Sequence, residues 1–334
     1  MKRLVLAALV LVGLSGTDAL AQAQSGPPYR MNVGGASAGG LWSALGLGID
    51  QAMAAAYPGS TITYQTSGGG FANMPLISKS QLPIGLALDT ELDVAVKGED
   101  PYKEPIKNLR QLVRLYDWQV NYMLLTKDFA DKHGIRSMAD LVAKKPPVKV
   151  GINRRGNATG KISMMLFEAM GVTMADIEKW GGQVVYAASG EQATLMMDRR
   201  IDMIANGLFL PDRSILQATN SVEMVWLDMP EDALKKVADQ TAGATTVIKA
   251  GAGGYTWLKE DVRTTKHGAI LLANESMDDA TAYNITKALV TNIDKIRSQN
   301  KAMEALTAQL MAVPTVTPFH PGAAKYLKEA GLLK

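Results

Sequence analysis

The chain has no cysteine, only three histidines and only five phenylalanines among 334 residues. The missing cysteines exclude disulfide staples, thiolate nucleophiles, Cys-based metal sites and a lipid-bearing N-terminal cysteine together. His133, His267 and His320 are far apart and show no HExxH-type ligand spacing, so no metal site is expected. Asp and Glu are plentiful, but no pair stands out for acid–base work, and no nucleophile, base and acid group themselves into a recognisable set. The formal net charge is +3, with signs alternating along the surface helices. Such a surface suits neither nucleic acid nor an anionic membrane. These absences point away from an enzyme and away from a cofactor.

The features that are present begin at the N-terminus. Lys2 and Arg3 precede an apolar run over residues 4–14, and Ala19-Leu20-Ala21 or Ala21-Gln22-Ala23 offers small residues for a signal peptidase. The run falls well short of the ~20 apolar residues that span a bilayer. Residues 1–23 are therefore expected to be a cleaved export signal, and the mature protein to be soluble and periplasmic. The remainder, roughly 310 residues, is long enough for two lobes with a core each.

Hydrophobic spacing then gives a repeated strand, loop, helix rhythm. Leu41, Leu45, Ile49 and Met53 recur every four residues, which predicts a helix over 41–56 stopped at Tyr57-Pro58-Gly59. Thr61 to Thr66 alternates as a strand, Ser67-Gly68-Gly69-Gly70 turns it into a helix over 71–79, and Ile84 to Leu88 reads as a buried strand. Val113 to Thr126 is long and rich in β-formers, and is predicted to cross between lobes. Beyond it come a capping box at Ser137 and Asp140, a strand over 148–152, a polar loop over 153–160 and a helix over 161–170. Strands over 184–186 and 201–205 flank a helix capped by Ser189 and Gln192, and a loop over 206–210 leads to a helix opened by Pro211. A strand over 269–273, a long helix marked by Ile285, Leu289, Ile293 and Ile296, and a last helix over 321–330 complete the pattern. Such alternation predicts parallel sheets covered on both faces, with ligands held outside the carboxyl ends of the strands.

Three loops at those ends carry the candidate chemistry. Gly34-Gly35-Ala36-Ser37-Ala38-Gly39-Gly40 lets backbone N–H groups approach a ligand, and the positive end of the helix that follows suits an anion. Thr66-Ser67-Gly68-Gly69-Gly70 repeats the device and adds hydroxyls. Asn153 to Gly160 lies in the other lobe and adds Arg154 and Arg155, whose guanidinium groups match carboxylates bidentately. The first two loops offer an anion only backbone donors and hydroxyls, so a second ligand carboxylate would need one of these arginines. Adjacent loop side chains diverge, and one arginine is expected in the cleft with the other in solvent.

In order and spacing, GGASAGG, TSGGGFANMPLI, IGLALD, NLRQLVRLY, LMMDRRIDMIANGLFLP, ITKALVTNIDKI and HPGAAKYLKEAGL resemble the TAXI family of TRAP-associated extracytoplasmic solute receptors. The resemblance runs from about Tyr29 to the C-terminus. It implies an α/β, type II periplasmic-binding-protein-like fold in which two lobes close about a hinge on a small organic acid or amino acid. A dicarboxylate such as glutamate or 2-oxoglutarate would be handed to a TRAP membrane permease driven by an ion gradient. Lobe 1 would comprise residues 27–116 and 250–334 and lobe 2 residues 117–249, in a monomer that needs no cofactor. Carried over by motif, the ligand contacts would be Ala38 and Gly39, then Thr66, Ser67, Gly68 and Asn73, then Asp89, which could instead cap the helix after it. Asn157 and Thr159 would follow from the far lobe, with Gly207, Leu208, Phe209 and Leu210. The chain departs from the family pattern by carrying Arg154-Arg155 between Gly151 and Gly156, and by a glycine-rich segment, Lys249 to Gly254, where the family has a proline. A tricarboxylate- or ABC-type receptor of the same fold and an exported enzyme are the alternatives.

Overall fold

The computed structural model describes residues 26–36 and 41–334, so the export signal expected over 1–23 and the loop residues Ala38 and Gly39 lie outside the described residues. The strands are β1 (Arg30–Gly34), β2 (Thr61–Gln65), β3 (Ile84–Leu88), β4 (Leu109–Thr126), β5 (Lys149–Ile152), β6 (Gln183–Tyr186), β7 (Met203–Leu208), β8 (Met224–Trp226), β9 (Ala244–Ile248) and β10 (Val262–Asn274). They form one sheet in the order β2-β1-β3-β10-β4-β7-β5-β6, with β8 added to β4 and β9 to β10. β1, β2 and β3 are parallel at one end, and β5, β6 and β7 at the other. β10 runs antiparallel to β3, β4 and β9, and β4 antiparallel to β7 and β8. The sheet is therefore mixed, which corrects the wholly parallel expectation: two long strands run back between the parallel sets and join them.

β4 serves two lobes because its halves enter different cores. Leu112, Val113, Leu115 and Tyr116 pack with β1, β3 and the helix Leu41–Ala56, whereas Val120 and Tyr122 to Leu125 pack with β5 and β7. Where one core gives way to the other, the β4–β10 pairing slips register, with His267 opposite Gln119 but Ala269 opposite Tyr116. Gly268 lies at the slip. A Cβ there would stand 2.3 Å from Arg114 Nη1 and 2.4 Å from Asp89 Oδ2, so a side chain would displace the ion pair packed on the strand.

The helix Leu41–Ala56 forms over the predicted span, and Leu45, Ile49, Ala52, Met53 and Ala56 lie on its buried face. Full burial of side chains such as Leu45, Ile49 and Met53 contributes about 1.5–3 kcal/mol each. The Ser137–Asp140 capping box is also present, with Asp140 N donating to Ser137 Oγ at 3.1 Å and Ser137 N to Asp140 Oδ2 at 3.0 Å.

Several boundaries differ for local reasons. β4 begins at Leu109, four residues before Val113, because Gln111 bonds sideways to Val313 O and Thr315 instead of following the apolar pattern. The helix expected over 161–170 spans Ala158–Ala169, since Asn157 Oδ1 accepts from Thr159 N and starts it early. β7 runs on to Leu208, so Asn206, Gly207 and Leu208 are strand residues and not loop. Pro211 does not open the next helix; Asp212 caps Arg213–Ala218 through Ser214 N and Ile215 N. Ser189 is the first residue of Ser189–Met197 and caps nothing; Glu191 Oε2 accepts from Ala188 N instead. The long helix near the C-terminus breaks at Asn292 into Asp279–Thr291 and Ile293–Arg297.

Candidate functional site

The wall built by β1, β2 and β3 is laced together through its own loops. Ala36 N donates to Tyr64 Oη at 2.7 Å, and Ser67 N donates to Ala36 O at 3.2 Å. Ser67 Oγ has Gly35 O at 2.6 Å and Asn73 Oδ1 at 2.8 Å within reach, and accepts from Gly69 N at 3.0 Å. Asn73 is fully buried and donates both amide hydrogens, to Gly35 O at 2.9 Å and Leu86 O at 2.8 Å. Its position thus ties the end of β1 to β3. Thr66 and Gly68 are exposed at the loop's surface.

Asp89 follows β3 as the first residue of the helix Asp89–Lys97, so it is not the cap of that helix. Its Oδ2 accepts from Arg114 Nη1 at 2.6 Å, whereas the buried Asp89 Oδ1, Arg114 Nε, Gln119 Oε1 and Asn121 Oδ1 have no hydrogen-bond partner. Burial raises the Asp89 carboxyl, against the opposing pull of Arg114. Glu91 performs the capping instead. Its Oε2 accepts from Leu88 N at 2.8 Å, and a Cβ on Gly70 would fall 2.0 Å from the same oxygen. Burial outweighs the backbone donors around it and pushes Glu91 up to about 7.

In the other lobe, half-buried Asn153 and buried Thr159 and Asn206 form one polar knot. Asn153 Nδ2 lies 3.0 Å from Thr159 Oγ1 and 3.1 Å from Asn206 Oδ1, and Asn206 Nδ2 donates to Ser189 Oγ at 3.0 Å. Thr159 Oγ1 sits 2.8 Å from Asn157 Oδ1 and 2.9 Å from Asn206 Oδ1. Gly207 follows Asn206 on β7, and a Cβ there would meet Thr159 Cγ2 at 2.9 Å. Arg154 and Arg155 are exposed and diverge: Arg154 Nη2 is 3.7 Å from Glu191 Oε2, and the Arg155 guanidinium lies 3.9 Å over the Tyr186 ring. Both contacts stay within their own lobe.

The two walls meet. Phe209 packs edge-on against Tyr116 at 4.7 Å between centroids, and Tyr116 Oη accepts from Trp42 Nε1 at 2.9 Å. Phe209 and Ala158 are buried in the core of the opposite lobe, and Lys161 Nζ stands 6.0 Å from the Phe71 ring centre. Leu208 is buried beside Phe209, whose carbonyl accepts from Tyr122 Oη at 2.7 Å. Loops from both lobes thus face one another with the register slip of β4 and β10 behind them. Among the described residues, no helix is long and apolar enough to cross a membrane and no His, Asp and Glu side chains gather as a metal site.

The sequence reading, which expects no nucleophile turn of the G-x-S-x-G type, is wrong on one feature of this site and passes over another. Gly35-Ala36-Ser37-Ala38-Gly39 has the G-x-S-x-G spacing of a nucleophile turn, between β1 and a helix. A serine there would need a histidine, and all three are engaged elsewhere. His267 contacts Thr90 and Thr265, His320 accepts from Gly322 N, and His133 packs on Phe129. The other feature is Glu91, whose placement under Gly70 leaves no trace in spacing or composition.

Two parallel strand sets joined by two long antiparallel strands, with loops of both lobes converging on a cleft, define the type II periplasmic-binding-protein fold. The chain belongs to the NMT1-like family, which it matches over residues 33–331. It is similar in structure to MatC from Rhodopseudomonas palustris, solved with bound malate, at a TM-score of 0.53 and 12% identity, covering 83% of this chain and 89% of that one. The periplasmic binding protein BugD is similar at a TM-score of 0.51 and 14% identity, covering 92% of this chain and 100% of that one.

Proposed function

We propose that the protein is an extracytoplasmic solute receptor of the TAXI type, which captures a small organic acid or amino acid in the periplasm and delivers it to a TRAP-type permease. The observation that carries the reading is the convergence of loops from two lobes, with Phe209 on Tyr116 and Lys161 facing Phe71 across the cleft. The TAXI motifs of the sequence and the malate bound by MatC support a dicarboxylate of that size. The lobes in this reading are residues 27–116 with 250–334, and 117–249. Thr66, Ser67 and Gly68 offer donors from one wall, and the 153–159 loop with Arg154 and Arg155 offers them from the other. Asn73, Asn157 and Thr159 hold those loops in place through the hydrogen bonds given above. The protein acts by closing on its solute, without turnover, and its partner is the permease.

Mass spectrometry of small molecules released from purified, denatured protein tests the reading. A single organic acid or amino acid near one equivalent, which rebinds the refolded protein and survives incubation unchanged, is the expected result. A compound converted to product during incubation would make the protein an enzyme. Neighbouring genes for an ABC permease in place of a TRAP permease would change the partner but not the binding role.

A further inference from the structure

A glycine inside a strand weakens it, and marks a place where something approaches the backbone closely. Gly207 stands near the end of β7, paired with Asn121 of β4, and side chains converge on it. A Cβ there would meet Thr159 Cγ2 at 2.9 Å and Asn121 Oδ1 at 3.4 Å, while Gln119 Nε2 donates to Gly207 O at 3.4 Å. Gln119 and Asn121 lie two residues apart on β4 and so share one face of it. Both are buried, at 9% and 1% exposure. Each spends its amide N–H on the protein, Gln119 on Gly207 O and Asn121 on Thr265 Oγ1 at 2.8 Å. Their carbonyl oxygens, Gln119 Oε1 and Asn121 Oδ1, have no partner. Buried acceptors in native proteins are met by a donor from the protein, from water or from a ligand, because leaving one unmatched is costly. The cleft is adjacent. Thr159 lies in the first turn of the far-lobe helix Ala158–Ala169, and Phe209, two residues beyond Gly207, meets Tyr116 of the other lobe.

We propose that Gln119 and Asn121 are specificity-determining residues that read one hydrogen-bond donor of the solute, an ammonium or hydroxyl group, and turn away a carbonyl oxygen in the same place. Two acceptors flanking Gly207 suit N–H or O–H groups. A keto oxygen has no hydrogen to offer and would leave itself and both side-chain carbonyls unmatched. The solute is therefore an amino acid or a hydroxy acid in preference to a keto acid. Sites that hydrogen-bond a substrate group reject the analogue lacking it more sharply than an apolar pocket sorts by size. This inference rests on the proposed reading of the protein as a receptor for a small organic acid or amino acid.

The test is calorimetry with matched probes that differ only on the carbon next to the carboxylate. Glutamate, 2-hydroxyglutarate, 2-oxoglutarate and glutarate form one series, and the same forms of alanine and of leucine make two more. In a series that binds, the ammonium or hydroxyl member should bind at least about tenfold more tightly than the keto member. Gln119→Met and Asn121→Leu remove an acceptor at similar size and should bring that ratio to within about threefold. Gln119→Glu and Asn121→Asp keep an acceptor in place and should preserve it. Should a variant not fold, the wild-type ratio decides. A merely structural role, or carbonyls met by a buried water, would leave the ratio at its wild-type value in every variant and overturn the proposal. A keto acid that binds wild type as tightly as its amino and hydroxy counterparts would overturn it and leave the receptor reading intact, and binding by no member of any series would overturn both.

Discussion

Asp89→Asn keeps the shape of a side chain and removes its charge, which leaves Arg114 buried without its counter-ion. The pair is tight, with Asp89 Oδ2 2.6 Å from Arg114 Nη1 and the two side chains only 9% and 10% exposed. Arg114 has little else to turn to: Nη2 is 3.5 Å from Pro314 O, and Nε has no partner. Removing one member of such a buried pair typically costs about 3–5 kcal/mol, most of it the penalty of the charge left behind. Removing both with Asp89→Asn and Arg114→Met lifts that penalty, so the double variant should be more stable than Asp89→Asn alone. Urea unfolding at pH 8, followed by tryptophan fluorescence, reads the effect as a shifted midpoint at constant slope. The expected coupling between the two sites is at least about 1 kcal/mol. A loss below about 1 kcal/mol for Asp89→Asn, or strict additivity in the double variant, would refute the reasoning.

The buried acid and base should oppose each other in pH dependence. Glu91, pushed up to about 7 from 4.5, keeps a proton in the folded chain that the unfolded chain releases, so its contribution falls as pH rises between those values, by about 3 kcal/mol. His267, pushed down to about 4 from 6.5 by burial, stays neutral where the unfolded imidazole is charged, so its contribution rises over that window by a similar amount. From about pH 5 to 6.5, stability should therefore rise in Glu91→Gln and fall in His267→Asn relative to wild type; parallel curves in all three would contradict both assignments. Asn73→Ala leaves Gly35 O and Leu86 O unmatched and should cost about 1–3 kcal/mol in thermal unfolding, with the ends of β1 and β3 losing amide protection first. Arg154→Ala and Arg155→Ala should each change stability by less than about 1 kcal/mol, because both side chains are exposed. In calorimetry with the identified solute, a loss of at least tenfold in only one of them would assign it a carboxylate, and two near-neutral results would remove the argument for a doubly charged solute.

The long periodic elements were legible in the sequence because burial on one face leaves a mark in the spacing. Leu45, Ile49 and Met53 on the helix Leu41–Ala56 show this, as do the unbroken apolar residues of β3. Edges were less legible wherever a polar side chain decided them. Asn157 starts a helix three residues early, Asp212 takes the cap that Pro211 suggested, and Asn206 belongs to a strand because its amide is paired inside the lobe. β8 and β9 escaped notice because one has three residues and the other is largely exposed, so neither carries a period. The antiparallel course of β4 and β10 is a fact of pairing, which a pattern of apolar residues does not encode. The glycine loops were visible as loops. That Glu91 occupies the head of one helix, and that Asp89 pairs with Arg114, depends on contacts across the chain.

Small-angle scattering of the protein with and without the solute recovered from it tests the two-lobe clamp most directly. The ligand-free protein should give a larger radius of gyration than the structure in which Phe209 meets Tyr116, and saturation should bring the curve to that of the closed form. A melting temperature that rises with solute concentration, as binding to the folded state alone requires, should accompany the compaction. A saturating, tightly bound solute that leaves the radius of gyration and the melting temperature unchanged would contradict the account.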